Sequence, residues 1–334
     1  MTIDRSSDRY SLVADIGGTN TRVALAKDTT LVPDSIRRFR NADHNGLAPI
    51  LAKYTAMEGN PNCVGACVAA AGPVHEGVAT MTNLDWVIDK PMLAKAAQAE
   101  TVAILNDLQA QGHALGHLDD TVLRPIIKGQ PSGPSAAKLV IGVGTGFNLA
   151  AVYDTAEGRL VTPSESGHAS LPVRNEEDLR LSQYLEQIHG FASVEDAISG
   201  RGLERVFAWV GLENNTPQEL TAAEIMAAAN DGTNDHATQA VAMFTRLLGS
   251  VVGNMALISL PFGGVYLVGG VSRAFAPHLT RHGFEDAFIG KGRFTEFMKG
   301  FPVTVVDDDY AALTGCANHL AHLMSRHGSS HQVF

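Results

Sequence analysis

Cysteines, basic runs and long apolar stretches are scarce in this chain, and each scarcity excludes a class of protein. Three cysteines among 334 residues cannot form the paired framework that stabilises small secreted domains. The formal net charge is −10, and no run of Lys and Arg is longer than Arg37–Arg38. A nucleic-acid-binding protein normally carries a basic patch, so we expect small molecules or other copies of the chain as partners, and no nucleic acid.

Apolar stretches stop short of the length that a membrane span requires. A spanning helix needs about 18–20 consecutive apolar residues, and no stretch reaches that length. The longest candidate, 247–262, is interrupted by small or polar residues and a proline, which are Gly249, Ser250, Gly253, Asn254 and Pro261. The polar opening MTIDRSSDRY lacks the apolar segment of a signal peptide. These features predict a cytoplasmic protein that does not enter a membrane.

Cys63 and Cys67 are the cysteines whose spacing could indicate a metal site. They lie in NCVGACVAAAG, a segment whose composition predicts a buried strand. Even spacing in a strand would direct both thiols to one face. No His or second cysteine pair follows at the spacing of a zinc site. We therefore expect both thiols to pack in the core.

Strand and helix signals alternate along the chain and predict an α/β fold with mixed sheets. Ser11–Ile16 and Arg22–Lys27 are predicted strands on either side of the glycine turn GGTNT, and a third extended segment lies near Ile36–Arg40. Leu139–Val143 and Leu149–Tyr153 repeat that arrangement around GTGFN. The recurrence predicts a duplicated βββαβα core.

The remaining predicted elements complete the pattern. Further strands are expected at Val64–Ala71, Val102–Leu105, Gly264–Val268 and Val303–Val306. Helices are expected at Leu47–Met57, Pro91–Ala99, Leu108–Leu115 and Tyr310–Met324, and helices dominate Asn175–Ser259.

The turn in DIGGTNTR, Asp15–Arg22, is the first candidate for chemistry. Its Gly and Asn residues suit backbone with positive φ and allow a ligand to approach closely. The N–H groups of Gly18, Thr19 and Asn20 can face phosphate oxygens. Asp15 at the strand end can hold Mg²⁺ through water, because Mg²⁺ sheds its hydration shell reluctantly. An ordinary hairpin turn would use the same residues.

A second glycine turn, GVGTGFN at Gly142–Asn148, resembles the first in its position between strands. Taken alone it is also compatible with a simple hairpin. Neither turn is followed by the Gly-Lys-Ser/Thr of a P-loop. No helix clearly opens after GVGTG, which disfavours a dinucleotide fingerprint. Two such turns together indicate a nucleotide site more strongly than either one.

Asn106 and Asp107 end the predicted strand in ILND. A carboxylate at the carboxyl end of a strand faces the crevice where α/β proteins bind ligands. An aspartate there can orient a hydroxyl and take its proton during phosphoryl transfer. The same position also suits an N-cap for the helix expected from Leu108. The pattern alone leaves both interpretations open.

Three further segments carry polar or glycine residues that could contact ligands. In SESGH, Glu165 and His168 could bind sugar hydroxyls, although a polar loop explains them as well. Gly269 and Gly270 could let adenosine lie flat on the backbone, or form a tight strand-to-helix turn. Glu195 suits the first turn of a helix capped by Ser193, and its pattern indicates nothing more.

Eight segments occur in an order that resembles the proteobacterial glucokinase family of the actin-like ATPase and hexokinase superfamily. They are DIGGTNTR, AAAGPV at Ala69–Val74, MTNLDW at Met81–Trp86, LNDL, GVGTG, ESGH, SGRGLE at Ser199–Glu204 and LVGGVSR at Leu267–Arg273. The resemblance extends from about Tyr10 to Leu320. It implies a ribonuclease H-like fold in two lobes that close over a cleft, with 1–117 and 307–334 as the small lobe and 118–306 as the large lobe. It also implies a homodimer.

The resemblance implies a role for each candidate residue. Asp15, Gly17, Gly18, Thr19 and Asn20 would form the first phosphate loop of the ATP site, and Gly144, Thr145 and Gly146 the second. Gly269 and Gly270 would hold adenosine. Asn106, Asp107, Glu165, His168 and Glu195 would contact the sugar, with Asp107 as the base and Mg²⁺ as the metal.

The implied reaction is phosphorylation of D-glucose by ATP to glucose 6-phosphate. Mannose, fructose or an amino sugar is an alternative substrate, and a non-catalytic sugar sensor or an actin-like phosphatase or chaperone is a more distant alternative. Three residues depart from the family pattern beside ligand loops: Asn148 and Ser166 where glycine is usual, and Ser272 where proline is common. We expect Asn148 to lie in the glycine turn, where Asn tolerates positive φ.

Overall fold

The computed structural model describes residues 9–81 and 84–330. Thr82 and Asn83 of the family segment MTNLDW lie outside the described residues. The chain divides into two compact units. Unit 1 comprises Met1–Asp119 and Asp308–Phe334, and unit 2 comprises Asp120–Asp307.

The strands and helices alternate as the sequence predicts. The strands are β1 Arg9–Ile16, β2 Asn20–Lys27, β3 Thr30–Leu31, β4 Arg37–Arg40, β5 Asn62–Ala70, β6 Val74–His75, β7 Val78–Thr80, β8 Val87–Asp89, β9 Thr101–Asn106, β10 Leu123–Ile127, β11 Lys138–Val143, β12 Phe147–Thr155, β13 Gly158–Pro163, β14 Val265–Val268 and β15 Val303–Val306. The helices are α1 Leu47–Met57, α2 Lys90–Ala97, α3 Asp107–Ala114, α4 Glu176–His189, α5 Val194–Ala197, α6 Gly200–Glu213, α7 Ala222–Asp231, α8 Asp235–Ser259, α9 Gly270–Leu279, α10 Phe284–Ile289, α11 Thr295–Met298 and α12 Ala311–Ser330.

Unit 1 is built on a mixed sheet in the order β3-β2-β1-β5-β9, with β4 also pairing with β2. β1 is antiparallel to β2, whereas β1, β5 and β9 are parallel. Side chains alternate between the faces of β1: Leu12 packs in the cluster that includes α1 and α2, and Val13 packs in the cluster that includes α12. Helices therefore cover both faces of this sheet.

The two cysteines of β5 do not share a face, so that expectation was wrong. Cys63 belongs to the cluster under α1 and α2, and Cys67 belongs to the cluster under α12. The pairing of β5 with β1 shifts register between Tyr10 and Ser11, because Tyr10 opposes Cys63 and Ser11 opposes Gly65. The extra residue reverses the alternation of side chains that follow it. Both thiols are buried and unpaired, as predicted for core residues.

Unit 2 repeats the strand order of unit 1. Its sheet runs β10-β15-β14-β11-β12-β13. The antiparallel meander β11-β12-β13 corresponds to β1-β2-β4, and the parallel strands β14 and β15 correspond to β5 and β9. Unit 2 adds the antiparallel edge strand β10 and the helices α4–α8 between β13 and β14. The predicted duplicated βββαβα core is confirmed.

Helix α8 continues through the residues that were expected to interrupt an apolar stretch. A Cβ on Gly249 would lie 2.3 Å from the carbonyl oxygen of Phe284, and one on Gly253 would lie 2.5 Å from that of Phe288. The two glycines therefore let α10 pack closely against α8. Within the described ranges, α8 is long and apolar enough to cross a membrane by length and composition alone. A core helix meets the same criterion, and 67% of its most apolar window is buried.

Candidate active site

The candidate residues of unit 1 follow the carboxyl ends of parallel strands. Asp15 of β1 is in register with Ala69 of β5, which is in register with Leu105 of β9. Asn106 and Asp107 come immediately after Leu105. Neighbouring strands lie about 4.8 Å apart, so β1 and β9 are separated by about 10 Å. The first glycine turn and Asp107 thus emerge from the same edge of the sheet, where α/β proteins bind ligands.

The first glycine turn leaves two backbone donors exposed. The N–H of Gly17 donates to the carbonyl oxygen of Asn20 at 3.0 Å and closes the turn. Gly18 and Thr19 are exposed, and within the described part of the chain their N–H groups donate to no acceptor. None of these residues has positive φ, contrary to expectation. The turn is formed by ordinary backbone angles, with a Cβ on Gly17 reaching 3.3 Å from the Asn20 oxygen.

Asn41, which was not identified from the sequence, holds this turn in place by hydrogen bonds. Its Nδ2 donates to the carbonyl oxygen of Gly17 at 2.7 Å, and its Oδ1 accepts from the Thr21 hydroxyl at 2.8 Å. Its N–H donates to the carbonyl oxygen of Thr19 at 2.9 Å. Asn41 and Thr21 are buried. The position of the turn is therefore fixed by hydrogen bonds from a residue beyond β4.

Asp15 lies in a small group of charges at the end of β1. Its Oδ2 is 3.2 Å from Arg22 Nη1, and Arg22 Nη2 is 3.9 Å from Asp309 Oδ1. The Asp15 side chain is 16% exposed. Burial raises the pKa of Asp15 above its ordinary value, Arg22 opposes that rise, and Asp309 adds to it. A mostly buried carboxylate with a raised pKa is stabilised by additional positive charge, such as a cation.

Asn106, and not Asp107, caps helix α3. Asn106 Oδ1 accepts from the N–H of Gln109 at 2.7 Å, and Gln109 Oε1 accepts from the N–H of Asn106 at 3.1 Å. This capping box places Asp107 inside the first turn, where its Oδ1 accepts from the N–H of Leu108 at 2.9 Å. The capping interpretation of Asp107 was therefore wrong. Asn106 is engaged through its side-chain oxygen, which leaves its amide Nδ2 to donate.

The second glycine turn lies beside Gly269 in unit 2. β11 and β14 are adjacent and parallel, with Gly142 opposite Val268. The N–H of Gly144 donates to the carbonyl oxygen of Gly146 at 2.9 Å, and Gly200 at the start of α6 donates to that of Gly144 at 2.8 Å. Thr145 at the tip is exposed. The GVGTG and SGRGLE segments are therefore in direct contact.

Gly269 and Gly270 form the tight strand-to-helix turn that was one of the two interpretations. Gly269 has φ 99°, and a Cβ there would lie 2.5 Å from the carbonyl oxygen of Val143. Helix α9 starts at Gly270 without a side-chain cap. Its first N–H groups can therefore bind an anion. Ser272 is buried, and its hydroxyl donates to the carbonyl oxygen of Val268, the last residue of β14, at 2.9 Å.

Glu195 connects the second glycine turn to the SESGH segment. Its Oε2 accepts from the N–H of Phe147 at 2.9 Å. A Cβ on Gly146 would lie 2.5 Å from that oxygen, and one on Gly167 would lie 3.4 Å from it. Gly146 thus leaves room for the Glu195 carboxylate, whereas a Cβ on Gly167 would first meet the carbonyl oxygen of Phe147 at 2.1 Å. The predicted cap of α5 by Ser193 is confirmed, and it directs Glu195 from the first helical turn.

Glu165 precedes the 3-10 turn Ser166–His168, His168 is its last residue, and both are exposed within unit 2. Asn148 Nδ2 donates to Glu165 Oε2 at 3.2 Å. Asn148 was expected in the glycine turn, but it lies in β12 opposite Gly142. Its backbone is that of a strand residue, so positive φ is not required.

Each unit thus gathers its own candidates. Unit 1 brings together the first turn, Asp15 and Asp107, and unit 2 brings together the second turn, Glu195 and the SESGH segment. A groove of about 380 Å³ in unit 2, lined by residues such as Trp209 and Arg246, contains none of them. Across residues 9–81 and 84–330, no group of three or more His, Cys, Asp or Glu could hold a metal ion by itself.

Comparison with known proteins identifies the family. The glucokinase family model matches residues 12–323. The chain belongs to the glucokinase family. A glucokinase from Brucella abortus is 32% identical over 309 residues, which cover 91% of this chain and 89% of that protein.

Solved structures share the fold. The crystal structure of glucokinase from an Antarctic psychrotroph has a TM-score of 0.84 and 31% identity, and the match covers 93% of this chain and 98% of that chain. A glucokinase of the ROK family from Streptomyces griseus, solved with glucose and AMPPNP, has a TM-score of 0.63 and 17% identity, with coverage of 93% and 98%. The latter match supports the actin-like fold alone.

Proposed function

We propose that this chain transfers the γ-phosphoryl group of ATP to the 6-hydroxyl of D-glucose, giving glucose 6-phosphate and ADP. Membership of the glucokinase family supports the reaction. The observation that carries the proposal is the emergence of Asp107 and the Asp15 turn from one edge of the unit 1 sheet. The Streptomyces griseus protein that shares the fold was solved with glucose and AMPPNP.

Asp107 is the proposed general base. As the 6-oxygen bonds to the γ-phosphorus and the bond to the leaving ADP oxygen breaks, the hydroxyl proton passes to the Asp107 carboxylate and then to solvent. The capping box of Asn106 and Gln109 fixes the first turn of α3 independently of Asp107. The carboxylate therefore has a defined position without having to stabilise the helix end.

The two glycine turns are the proposed phosphate ligands. Gly18, Thr19 and Asn20 would donate from the first turn, and Thr145 and Gly146 from the second. Backbone donors that are held in place before the nucleotide binds reduce the reorganisation needed for charge stabilisation. Gly269 and Gly270 would lie against adenosine, because neither carries a side chain that would keep the base away from the backbone.

The charges around Asp15 fit a magnesium ion. Mg²⁺ prefers oxygen ligands and keeps several waters. One Asp15 oxygen faces Arg22 at 3.2 Å, so its other oxygen can hold a metal-bound water. When bound with ATP, the ion would neutralise charge that develops on the β- and γ-phosphates. Asp15 is the residue that would hold it.

The remaining roles follow the family resemblance. Asn106, Glu165, His168 and Glu195 would bind the sugar hydroxyls alongside Asp107. We also propose that 1–117 with 307–334 is the small lobe and 118–306 the large lobe, that the protein is cytoplasmic, and that it forms a homodimer.

A panel of hexoses tests the function directly. ADP release with ATP and Mg²⁺ is measured for glucose, mannose, fructose and glucosamine by a coupled assay. We expect glucose to give the highest kcat/KM. A higher kcat/KM for another hexose would reassign the substrate. ATP hydrolysis at a rate that does not depend on any of the sugars would reject the kinase function.

Asn41→Ala is expected to raise the KM for ATP about 10-fold, which corresponds to about 1.4 kcal/mol of binding free energy. The change removes the bonds to Gly17 and to the Thr21 hydroxyl, so the first turn loses its fixed position. The KM for glucose should change much less, because the side-chain partners of Asn41 are Gly17 in the first turn and Thr21 next to it. Steady-state kinetics with each substrate varied separately measures both constants.

Asn318→Ala is the matched control in unit 1. The Asn318 amide donates to the Thr314 carbonyl of its own helix at 2.9 Å. This variant should retain the wild-type KM for ATP. Equal KM values for ATP in the wild type and Asn41→Ala would show that the side-chain hydrogen bonds of Asn41 do not contribute to nucleotide binding.

A further inference from the structure

Asn148 makes an unusual number of side-chain hydrogen bonds for a strand residue beside a ligand loop. It is the second residue of β12, and its partner in the sheet is Gly142. All of its side-chain partners lie in Ser164–Ser166, apart from the N–H of the next residue, Leu149. One amide side chain thus contacts every residue of the segment that leads into the 3-10 turn.

The oxygen of Asn148 contacts the residues on both sides of Glu165. Oδ1 accepts from the N–H of Ser166 at 3.1 Å, and the hydroxyls of Ser164 and Ser166 lie 3.0 and 3.3 Å from it. The Ser164 hydroxyl is also 3.0 Å from the carbonyl oxygen of Leu149, so these two acceptors share its proton. Glu165 precedes the turn but makes no side-chain cap to it. The Asn148 side chain supplies that acceptor, so a residue of β12 fixes the start of the turn.

The nitrogen of Asn148 orients the Glu165 carboxylate. Nδ2 donates to Glu165 Oε2 at 3.2 Å. The Glu165 side chain is otherwise exposed within unit 2. An exposed glutamate would sample several rotamers, and fixing one of them before a ligand arrives lowers the entropy cost of binding. The other oxygen, Oε1, can then accept from a ligand hydroxyl.

We propose that Asn148 is a positioning residue of the hexose site, which acts by orienting Glu165 toward a neutral sugar hydroxyl. This inference rests on the proposed function, because it takes Glu165 as a sugar ligand. Asn148 itself need not touch the sugar. Its loss should weaken hexose binding while the ATP site, made by other residues, is preserved.

Asn148→Asp separates the hydrogen bonds that the Asn148 side chain accepts from the one that it donates to Glu165. The carboxylate has nearly the shape of the amide and can still accept from Ser164, Leu149 and Ser166. It cannot donate to Glu165, and it places a second negative charge beside it. We expect the KM for glucose to rise about 10-fold or more, with kcat and the KM for ATP within about 2-fold of the wild-type values.

Lowering the pH should partly restore glucose binding to this variant alone. Two adjacent carboxylates bind a shared proton more readily than either one does in isolation. Protonation at position 148 or 165 would restore a donor between them. The ionisable side chains of His168 and Glu195 also lie in this part of unit 2, but they are common to wild type and variant, so the comparison at each pH cancels their contribution. Calorimetry with glucose and without ATP, from pH 7.5 to 5.5, gives the dissociation constants.

Three further proteins complete the experiment. Asn148→Ala should weaken glucose binding without the recovery at low pH, because it introduces no carboxylate. In a Glu165→Ala background, Asn148→Asp should add no further loss, since the two residues act as one unit. Asn214→Asp makes the same chemical change at the end of α6, where the amide donates to the Val210 carbonyl at 2.8 Å, and should leave glucose binding unchanged.

The outcomes are distinct. A higher dissociation constant for glucose that recovers at low pH in Asn148→Asp supports the proposal. Wild-type binding in Asn148→Asp, or full additivity with Glu165→Ala, overturns it. If both Asn148 variants lose cooperative unfolding, the residue is structural and the proposal is also overturned. Failure of the wild type to phosphorylate any hexose would reject the proposed function, whereas the calorimetric comparison would still report on Asn148.

Discussion

Asp107→Asn is expected to lower kcat for glucose phosphorylation by a factor of about 100 or more while the protein stays folded and binds glucose. The amide oxygen can still accept from the N–H of Leu108, as the carboxylate does at 2.9 Å. The capping box does not involve Asp107. The neutral side chain, however, cannot take the hydroxyl proton at ordinary pH.

The measurement combines single-substrate kinetics, calorimetry with glucose and a thermal melt. Loss of one negative charge in the first turn of α3 should cost about 0.3–1 kcal/mol of stability. Asp89→Asn is the matched control, because Asp89 caps α2 in the same unit by accepting from the N–H of Met92 at 2.7 Å. It should alter stability by a similar amount without changing kcat. Near-normal turnover in Asp107→Asn would remove Asp107 from its role as base.

The strands and their order were predictable because their signals are local. Apolar runs that end in glycine or an acid recur in both halves of the chain. They form β1 and β11, which have corresponding neighbours: β2 and β5 beside β1, and β12 and β14 beside β11. The orientation of Cys63 was not predictable. It depends on a register shift against Tyr10, and sequence alternation within β5 carries no information about its partner strand.

The candidate loops were predictable as glycine turns, but the reason for the glycines was not. Positive φ was the expected cause at Gly17, whereas the structure has ordinary angles there. At Gly146 the cause is the Glu195 carboxylate, 2.5 Å from the position of a Cβ. Glu195 lies far along the chain, so only tertiary structure shows that a side chain at 146 would displace it.

The amides that support the site were not found from sequence for the same reason. Asn41 braces a turn 24 residues away, and no local pattern distinguishes it from a polar loop residue. Asn148 was identified from the sequence, but it was expected to lie in the glycine turn, whereas it lies in β12 and bonds to Ser164–Ser166. Asn106 and Asp107 were found together, yet which of them caps α3 depended on the position of Gln109.

The second large effect is expected at Gly315, where α12 crosses α3. A Cβ on Gly315 would lie 1.7 Å from the carbonyl oxygen of Ala110 and 2.6 Å from its carbonyl carbon. These are backbone atoms of the helix that begins with Asp107, so a change of rotamer cannot relieve the overlap. By contrast, a Cβ on Gly65 would come no closer to a backbone atom than 3.2 Å, from the carbonyl oxygen of Thr101, and its nearest neighbour at 3.1 Å is the Leu320 side chain, which can move. Any residue larger than glycine at 315 must therefore displace α3 or α12.

Gly315→Ala should lower the melting temperature by about 6–12 °C, since overpacking of this severity costs about 3 kcal/mol and a domain of about 150 residues loses about 2–4 °C per kcal/mol. The protein that remains folded should also have a kcat reduced by up to about 100-fold, because a displacement of about 1 Å at a reacting group has that effect. Gly133→Ala is the control, with no atom within 4 Å of its Cβ. Wild-type melting and turnover in Gly315→Ala would contradict the close contact between the two helices. A lower melting temperature with unchanged kcat would show that α3 keeps Asp107 in place even when its packing on α12 is strained.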